Sequence, residues 1–210
     1  MPKTRGFFSM AEVKVLIEGV HKQIENEKFD IGCTTVLIRS DKNILVDPGA
    51  FVNKNRLLEA LKKEGLAPEK IDAVILTHLH LDHIVNVSLF PKSKVLLKFI
   101  NGKYPGQFQR IDKGTLERFD ILNEKIAEDI SVIDTPGHSD DHVSVLVKTD
   151  KGKVVISGDA VGSEEWADIN KKPNPEFVYS VEKYNESREK ILKIADYIIP
   201  GHGKMFKVKK

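Results

Sequence analysis

Apolar residues along this chain fall into short runs, each halted by a turn or by a reactive side chain. Residues 13 to 20 (Val-Lys-Val-Leu-Ile-Glu-Gly-Val) and 34 to 38 (Thr-Thr-Val-Leu-Ile) are rich in β-branched residues and too short for helices, so each reads as a strand. Residues 44 to 47 (Ile-Leu-Val-Asp) form another, closed by the turn pair Pro48-Gly49. Asn53 then stands where a helix N-cap belongs, ahead of Leu57, Leu58 and Leu61, and Gly65 stands where that helix should end. The run Ala73-Val74-Ile75-Leu76 reads as a buried strand that delivers the chain into Thr77-His78-Leu79-His80-Leu81-Asp82-His83.

The second half repeats that style. Residues 130 to 134 run into Thr135-Pro136-Gly137-His138, residues 143 to 147 alternate like a half-buried strand, and residues 154 to 157 run into Gly158-Asp159. Between about 180 and 195, Val181, Tyr184, Arg188, Ile191, Leu192 and Ala195 recur at helical spacing, and Tyr197-Ile198-Ile199 then leads into Pro200-Gly201-His202-Gly203. The stretch from 91 to 129 is less regular, with Gly102, Pro105, Gly106 and Gly114 marking loops. Strand ends therefore precede His78, His138, Asp159 and His202.

Composition narrows what this pattern serves. A chain of 210 residues suits one sizeable core, so residues 1 to 210 are read as one domain. Apolar residues at 40% and charged residues at 30% describe an ordinary globular chain. A net charge of +2 announces neither nucleic acid nor an anionic membrane, and the basic end at Lys204, Lys207, Lys209 and Lys210 reads as a solvated terminus. No apolar run approaches the roughly 18 residues of a membrane span, and Met1 to Met10 lacks the apolar core of a signal peptide. The first strand pattern begins just after Met10, which leaves Met1 and Met10 as alternative starts. Cys33 is the only cysteine, which excludes an intramolecular disulfide and a thiolate-rich zinc site. The expected location is the cytoplasm, and any metal must be held by His and carboxylates.

Five of the seven histidines sit in the strand-end turns. A helix would place His78 with Asp82 but turn His80 away, and an extended segment would align 78, 80 and 82 but throw His83 across. A strand end that bends into a helix start instead gives His78 and His80 to one ion, and Asp82 and His83 to a neighbour. A catalytic zinc takes about three protein ligands and keeps an open position. His138, Asp159 and His202 complete the set for a pair, with the two oxygens of Asp159 suited to bridging.

The segment His78-Leu79-His80-Leu81-Asp82-His83 resembles the H-x-H-x-D-H signature of the metallo-β-lactamase superfamily, and the later turns match its remaining motifs in order, so that the resemblance covers roughly residues 12 to 208. It implies an α/β fold: a four-layer αβ/βα sandwich of two mixed β-sheets with outer helices. It also implies a first metal on His78, His80 and His138, a second on Asp82, His83 and His202, and Asp159 between them. Asp47 is similar to the family's early Asp, which supports the metal loop from behind. Many relatives carry Gly shortly after the first motif, where this chain has Asn86.

The implied cofactors are two divalent ions, with zinc the first choice and iron or manganese the alternatives. The implied reaction is hydrolysis by a hydroxide held between the ions, with Asp82 orienting it or moving its proton. The preferred substrate is a small ester, lactone or thioester, because a glutathione-thioester hydrolase usually carries a further helical domain and drug-hydrolysing β-lactamases are exported. A nuclease, with Lys92, Lys94, Lys98 and Lys103 on phosphates, is the second reading. A mononuclear iron dioxygenase acting on persulfides is the third, and a non-catalytic scaffold the fourth. The expected partner is thus a small molecule, with nucleic acid second and no membrane; a homodimer is among the assemblies considered.

Other residues carry less. Gly201-His202-Gly203-Lys204 is no phosphate loop, because Ile198 holds a position that requires glycine, and Gly137-His138-Ser139 lacks the closing glycine of a nucleophile elbow. Ser139 reads as a turn residue, Cys33 as buried packing, Tyr184 as helix core and Trp166 as a pocket residue. His21 has no companion in the sequence, and His142 reads as a support for the metal turn, a substrate-facing residue or a plain surface residue.

Overall fold

The protein is described here from a computed structural model, covering residues 10–26, 28–98 and 125–209, with the backbone of 119–121. The turn markers between Gly102 and Gly114, and Lys103 with them, lie outside the described residues. β1 (Glu12–Ile17), β4 (Thr35–Arg39), β5 (Asn43–Val46), β6 (Ala73–Ile75), β7 (Lys94–Leu97) and β8 (Phe119–Ile121) form a six-stranded sheet in the order β1-β4-β5-β6-β7-β8. The second sheet has five strands, β9 (Ile130–Asp134), β10 (Val143–Thr149), β11 (Gly152–Gly158), β12 (Tyr197–Pro200) and β13 (Phe206–Lys207), in the order β13-β12-β11-β10-β9. Each sheet mixes parallel and antiparallel pairs.

Alternation within the strands decides the layers. In β4, Val36 and Ile38 face the other sheet and pack with Val145, Val147, Val154 and Ile156. Leu37 faces outward and meets Leu57 and Leu61 of helix α1 (Lys54–Lys63). Across the molecule, Val154 and Ile156 of β11 point inward, while Val155 meets Ile191 of the helix Val181–Ile194. A strand buried on both faces needs cover on both, and each fully buried leucine contributes about 1.5–3 kcal/mol. The outcome is the four-layer sandwich implied by the resemblance. The strands expected at 44 to 47, 73 to 76, 130 to 134, 143 to 147, 154 to 157 and 197 to 199, and the helix near 180 to 195, form within a few residues of those bounds.

Three local expectations need correction. The run from 13 to 20 is two strands: β1 ends at Ile17, and after Glu18 the amide of Gly19 donates to Thr34 Oγ1 at 3.1 Å, which takes the chain out of the sheet. The hairpin that follows, β2 (Val20–Glu25) with β3 (Lys28–Gly32), was not foreseen, because nearly all of its residues are exposed and no apolar periodicity marks it. Asn53 precedes α1 as expected but does not cap it, since its side chain is buried and makes no cap bond.

The other end of α1 is closed by its backbone. Leu66 N donates to Leu61 O at 2.9 Å and Gly65 N to Lys62 O at 3.0 Å, with Gly65 at φ +71°. This is a Schellman closure, which needs a left-handed residue at that position. Nothing lies within 4 Å of where a Cβ would sit, so Gly65→Ala tests the backbone alone. Urea unfolding should show a loss of about 1–2 kcal/mol, and an unchanged midpoint would refute the assignment.

Candidate metal centre

Asp47 organises the loop that carries most of the donors. It has a left-handed backbone, φ 51°, a conformation that Asp tolerates better than most residues. Its buried carboxylate accepts from Thr77 N at 2.8 Å and Thr77 Oγ1 at 2.7 Å, and meets His83 Nδ1 at 2.8 Å. One side chain thereby holds both ends of the segment from 77 to 83. Asn86 adds to the hold: its Nδ2 donates to Pro48 O at 3.1 Å and Ala50 O at 2.6 Å. Between the fixed ends, the extended residues from 77 to 80 turn into the short helix α2 (Leu81–Ile84).

That bend sorts the donors into two groups. His78, His80, His138 and Asp159 form one group, and Asp82, His83 and His202 another, each with donor atoms within 4.8 Å of one another. Asp159 lies between the groups. Its Oδ1 is 3.4 Å from His83 Nε2 and 3.2 Å from His202 Nε2, and its Oδ2 is 3.3 Å from His138 Nε2 and 3.9 Å from His78 Nε2. All seven residues named from the sequence are therefore brought together.

The hydrogen bonds fix which nitrogens face inward. Thr77 Oγ1 gives its own proton to Asp47, so at His78 Nδ1, 3.0 Å away, it must accept. His83 Nδ1 donates to Asp47, and His202 Nδ1 to Gly32 O at 3.0 Å. Each of these three imidazoles therefore turns Nε2 toward Asp159. His78 Nε2, His83 Nε2 and Asp159 Oδ1 are buried without a hydrogen-bond partner. Leaving such a group unpaired costs about 1–3 kcal/mol, and a divalent cation in each group is the partner that would satisfy the imidazole on its side together with the carboxylate between them. The residues present fit the metals that the resemblance implies.

His142, which the sequence left between support, substrate contact and surface, is fully buried. Its Nε2 accepts from Asp159 N at 3.0 Å, so its Nδ1 carries the proton and donates to Thr135 Oγ1 at 3.0 Å. Thr135 passes on to Ser144 Oγ at 2.9 Å, which donates to Ser157 O at 3.0 Å. Every group in this buried chain is satisfied by a neutral imidazole, and the chain fixes the backbone of Asp159. Gly158 makes the approach possible, since a Cβ there would lie 2.9 Å from His142 Nε2, at φ +50°.

Burial pushes His138 down to about 4 and holds His78 and His142 well below the ordinary histidine range. Burial also disfavours the charged form of His83 and His202, yet the charge and hydrogen bond of Asp159, with Cys33 and Asp47 beside His83 and Asp82 beside His202, together outweigh it and raise both. Burial would raise Asp159, but His83 and His202 hold it well below the carboxylate range.

The remaining sequence candidates find their places. Cys33 is buried, with its thiol pushed by burial up to about 12, which suits packing and not catalysis. Ser139 donates to Asp141 Oδ1 at 2.6 Å in the turn after His138. Tyr184 is buried and also reaches the cleft above the donors, which Trp166 lines too. His21 is not isolated: the hairpin sets its ring 5.6 Å from that of His202, at the cleft wall. Lys98 is paired with Asp134 at 2.7 Å and is not a free phosphate contact.

Imidazole nitrogens turned inward around a shared carboxylate are what a metallo-hydrolase presents to its ions, and that is the class this chain falls in. Residues 30–202 match the profile of the metallo-beta-lactamase superfamily, and the chain belongs to it. It is 33% identical over 204 residues to metallo-beta-lactamase domain-containing protein 1 of Xenopus laevis, spanning 93% of this chain and 81% of that one. It is 30% identical over 159 residues to a protein of Methanocaldococcus jannaschii named as a probable metallo-hydrolase, spanning 76% of this chain and 70% of the relative. A solved structure of a metallo-β-lactamase-type protein of Thermotoga maritima superposes with a TM-score of 0.75 at 25% identity, covering 94% of this chain and 99% of the other.

These shifts set the stability of protein stripped of metal. The unfolded chain protonates His78, His138 and His142 near the ordinary pKa of about 6.5, and the fold resists it, so their contribution is full above that value and is lost as pH falls through their lowered folded values, which for His138 is about 4. His83 and His202 act oppositely: their contribution is full below about 6.5 and is lost as pH rises through their raised folded values. Asp159 adds stability that is lost only below the ordinary value of 3.8. Urea unfolding of the stripped protein should therefore show greatest stability near neutrality. From pH 6.5 to 5 the loss should approach about 1.4 kcal/mol per unit for each histidine kept neutral. Equal stability at pH 5 and 6.5 would contradict the assigned protonation states.

Proposed function

We propose that the protein hydrolyses a small carboxylic ester, lactone or thioester with two divalent ions, zinc first among them, held by His78, His80, Asp82, His83, His138, Asp159 and His202. The observation that carries the reading is the single donor set shared through Asp159 at the floor of an open cleft of about 930 Å³. Bound there, a pair of divalent cations acidifies water, whose pKa falls from about 15.7 toward 7, and polarises a carbonyl.

The chain's own residues supply the rest. Burial keeps His78 and His138 unprotonated at neutral pH, so their lone pairs stay available. Asp82 is part-exposed at the cleft floor, with Oδ2 3.5 Å from His83 Nε2 and 3.6 Å from His202 Nε2, where its carboxylate takes a proton from attacking water. Above the floor the walls are mainly apolar, with Ile31, Trp166, Phe177 and Val178 among them, which suits an acyl group. Among the described residues that line the cleft, Lys172 is the one lysine or arginine, while Asp140 and Glu176 are acidic. That balance favours a neutral substrate over a polyanionic nucleic acid.

The test is a panel of esters, lactones, thioesters and phosphodiesters, offered to protein loaded separately with zinc, manganese or iron. Carbonyl substrates should turn over and phosphodiesters should not. His80→Ala should lose metal at one site and lower turnover by at least about 100-fold, while Cys33→Ala should stay close to wild type. Phosphodiester cleavage alone, or one iron per chain with oxygen consumption, would replace this reading.

A further inference from the structure

One wall of the cleft is held by a side chain that none of the metal chemistry uses. Arg188, in the helix Val181–Ile194 (α3), is fully buried. Its Nη1 donates to Trp166 O and Asp168 O, each at 3.1 Å, and its Nη2 to Lys171 O at 2.9 Å, Ile169 O at 3.4 Å and Asn185 Oδ1 at 2.6 Å. Four carbonyls of one six-residue loop thus converge on one guanidinium. Carbonyl oxygens aimed at a common point repel one another, so the loop keeps this shape only while a cation sits among them. Burying a guanidinium is itself unfavourable unless its donors are used; here Nε is left without a partner, and both Nη atoms are spent on four loop carbonyls and Asn185 Oδ1 and not on a carboxylate.

The loop carries Trp166, the chain's one tryptophan. The indole stands edge-on to Tyr184 with ring centroids 6.1 Å apart, the Arg188 Cζ lies 5.7 Å from its centroid, and Lys171 Nζ, paired with Glu165, lies 4.4 Å from it. Trp166 and Tyr184 both line the cleft. We propose that Arg188 is a positioning residue: by gathering the carbonyls of residues 166 to 171 it sets Trp166 as a preformed wall, which governs how tightly the apolar part of a substrate is held and not how fast the bond is cut. The kinetic half of this proposal rests on the hydrolysis proposed above; the positioning half does not.

The variant Arg188→Met keeps an apolar stem and removes every donor, and Arg188→Lys serves in its place if that protein fails to fold. Tryptophan emission should shift to longer wavelength and become more accessible to acrylamide, in metal-loaded and metal-stripped protein alike, with unchanged metal stoichiometry. For an ester with a bulky aromatic acyl group KM should rise roughly tenfold, with kcat within about twofold, while the acetyl ester changes little. In a Trp166→Leu background the same change at Arg188 should add no further rise in KM. Unaltered emission and quenching would overturn the proposal, and so would a fall in kcat and metal content at constant KM, which is what a merely structural role produces. If the wild type cleaves no carbonyl substrate, the proposed hydrolysis fails, and the fluorescence readings still decide whether Arg188 holds Trp166.

Discussion

The centre depends on one buried carboxylate. Asp47 stands at the end of β5 with a left-handed backbone, and its oxygens are used by Thr77 at the start of the donor segment and His83 at its end. A segment held at two points a few residues apart has little freedom between them, which keeps the donors sorted into two groups without a regular helix or strand. The same carboxylate sets the tautomer of His83 directly and that of His78 through Thr77. Geometry and protonation thus trace to one residue that belongs to neither donor group.

The two groups meet the same need for positive charge differently. Around Asp159, His83 and His202 bind protons more readily than free histidine, so an arriving cation competes with hydrogen ions there. On the other side burial keeps His78 and His138 neutral, so their lone pairs are already exposed. One carboxylate serves an acid-sensitive pocket and an acid-tolerant one.

Much of this was legible in the sequence because the chemistry sits where a physical pattern ends. An apolar run that stops at His or Asp is both a strand boundary and a donor, so the turns before His78, His138, Asp159 and His202 marked fold and site together. Other features left no such trace. The β2–β3 hairpin has almost no buried face, so nothing in its composition separates it from a loop, and His21 on it looked solitary although its neighbour His202 is 181 positions away. The duty of His142 depends on Asp159 and Thr135 arriving from other strands. Arg188 fell on the helical stripe, but a periodicity cannot say that a buried cation will answer to the backbone of a distant loop.

The donors also divide by parentage. His78, His80, Asp82 and His83 follow β6 of the six-stranded sheet, whereas His138, Asp159 and His202 follow β9, β11 and β12 of the five-stranded one. Each donor group draws on both sheets, so ions held there rivet the two leaves of the sandwich along their shared edge. Spreading of the leaves and escape of the ions are then a single motion: whatever tightens the apolar seam between the sheets also slows the loss of metal.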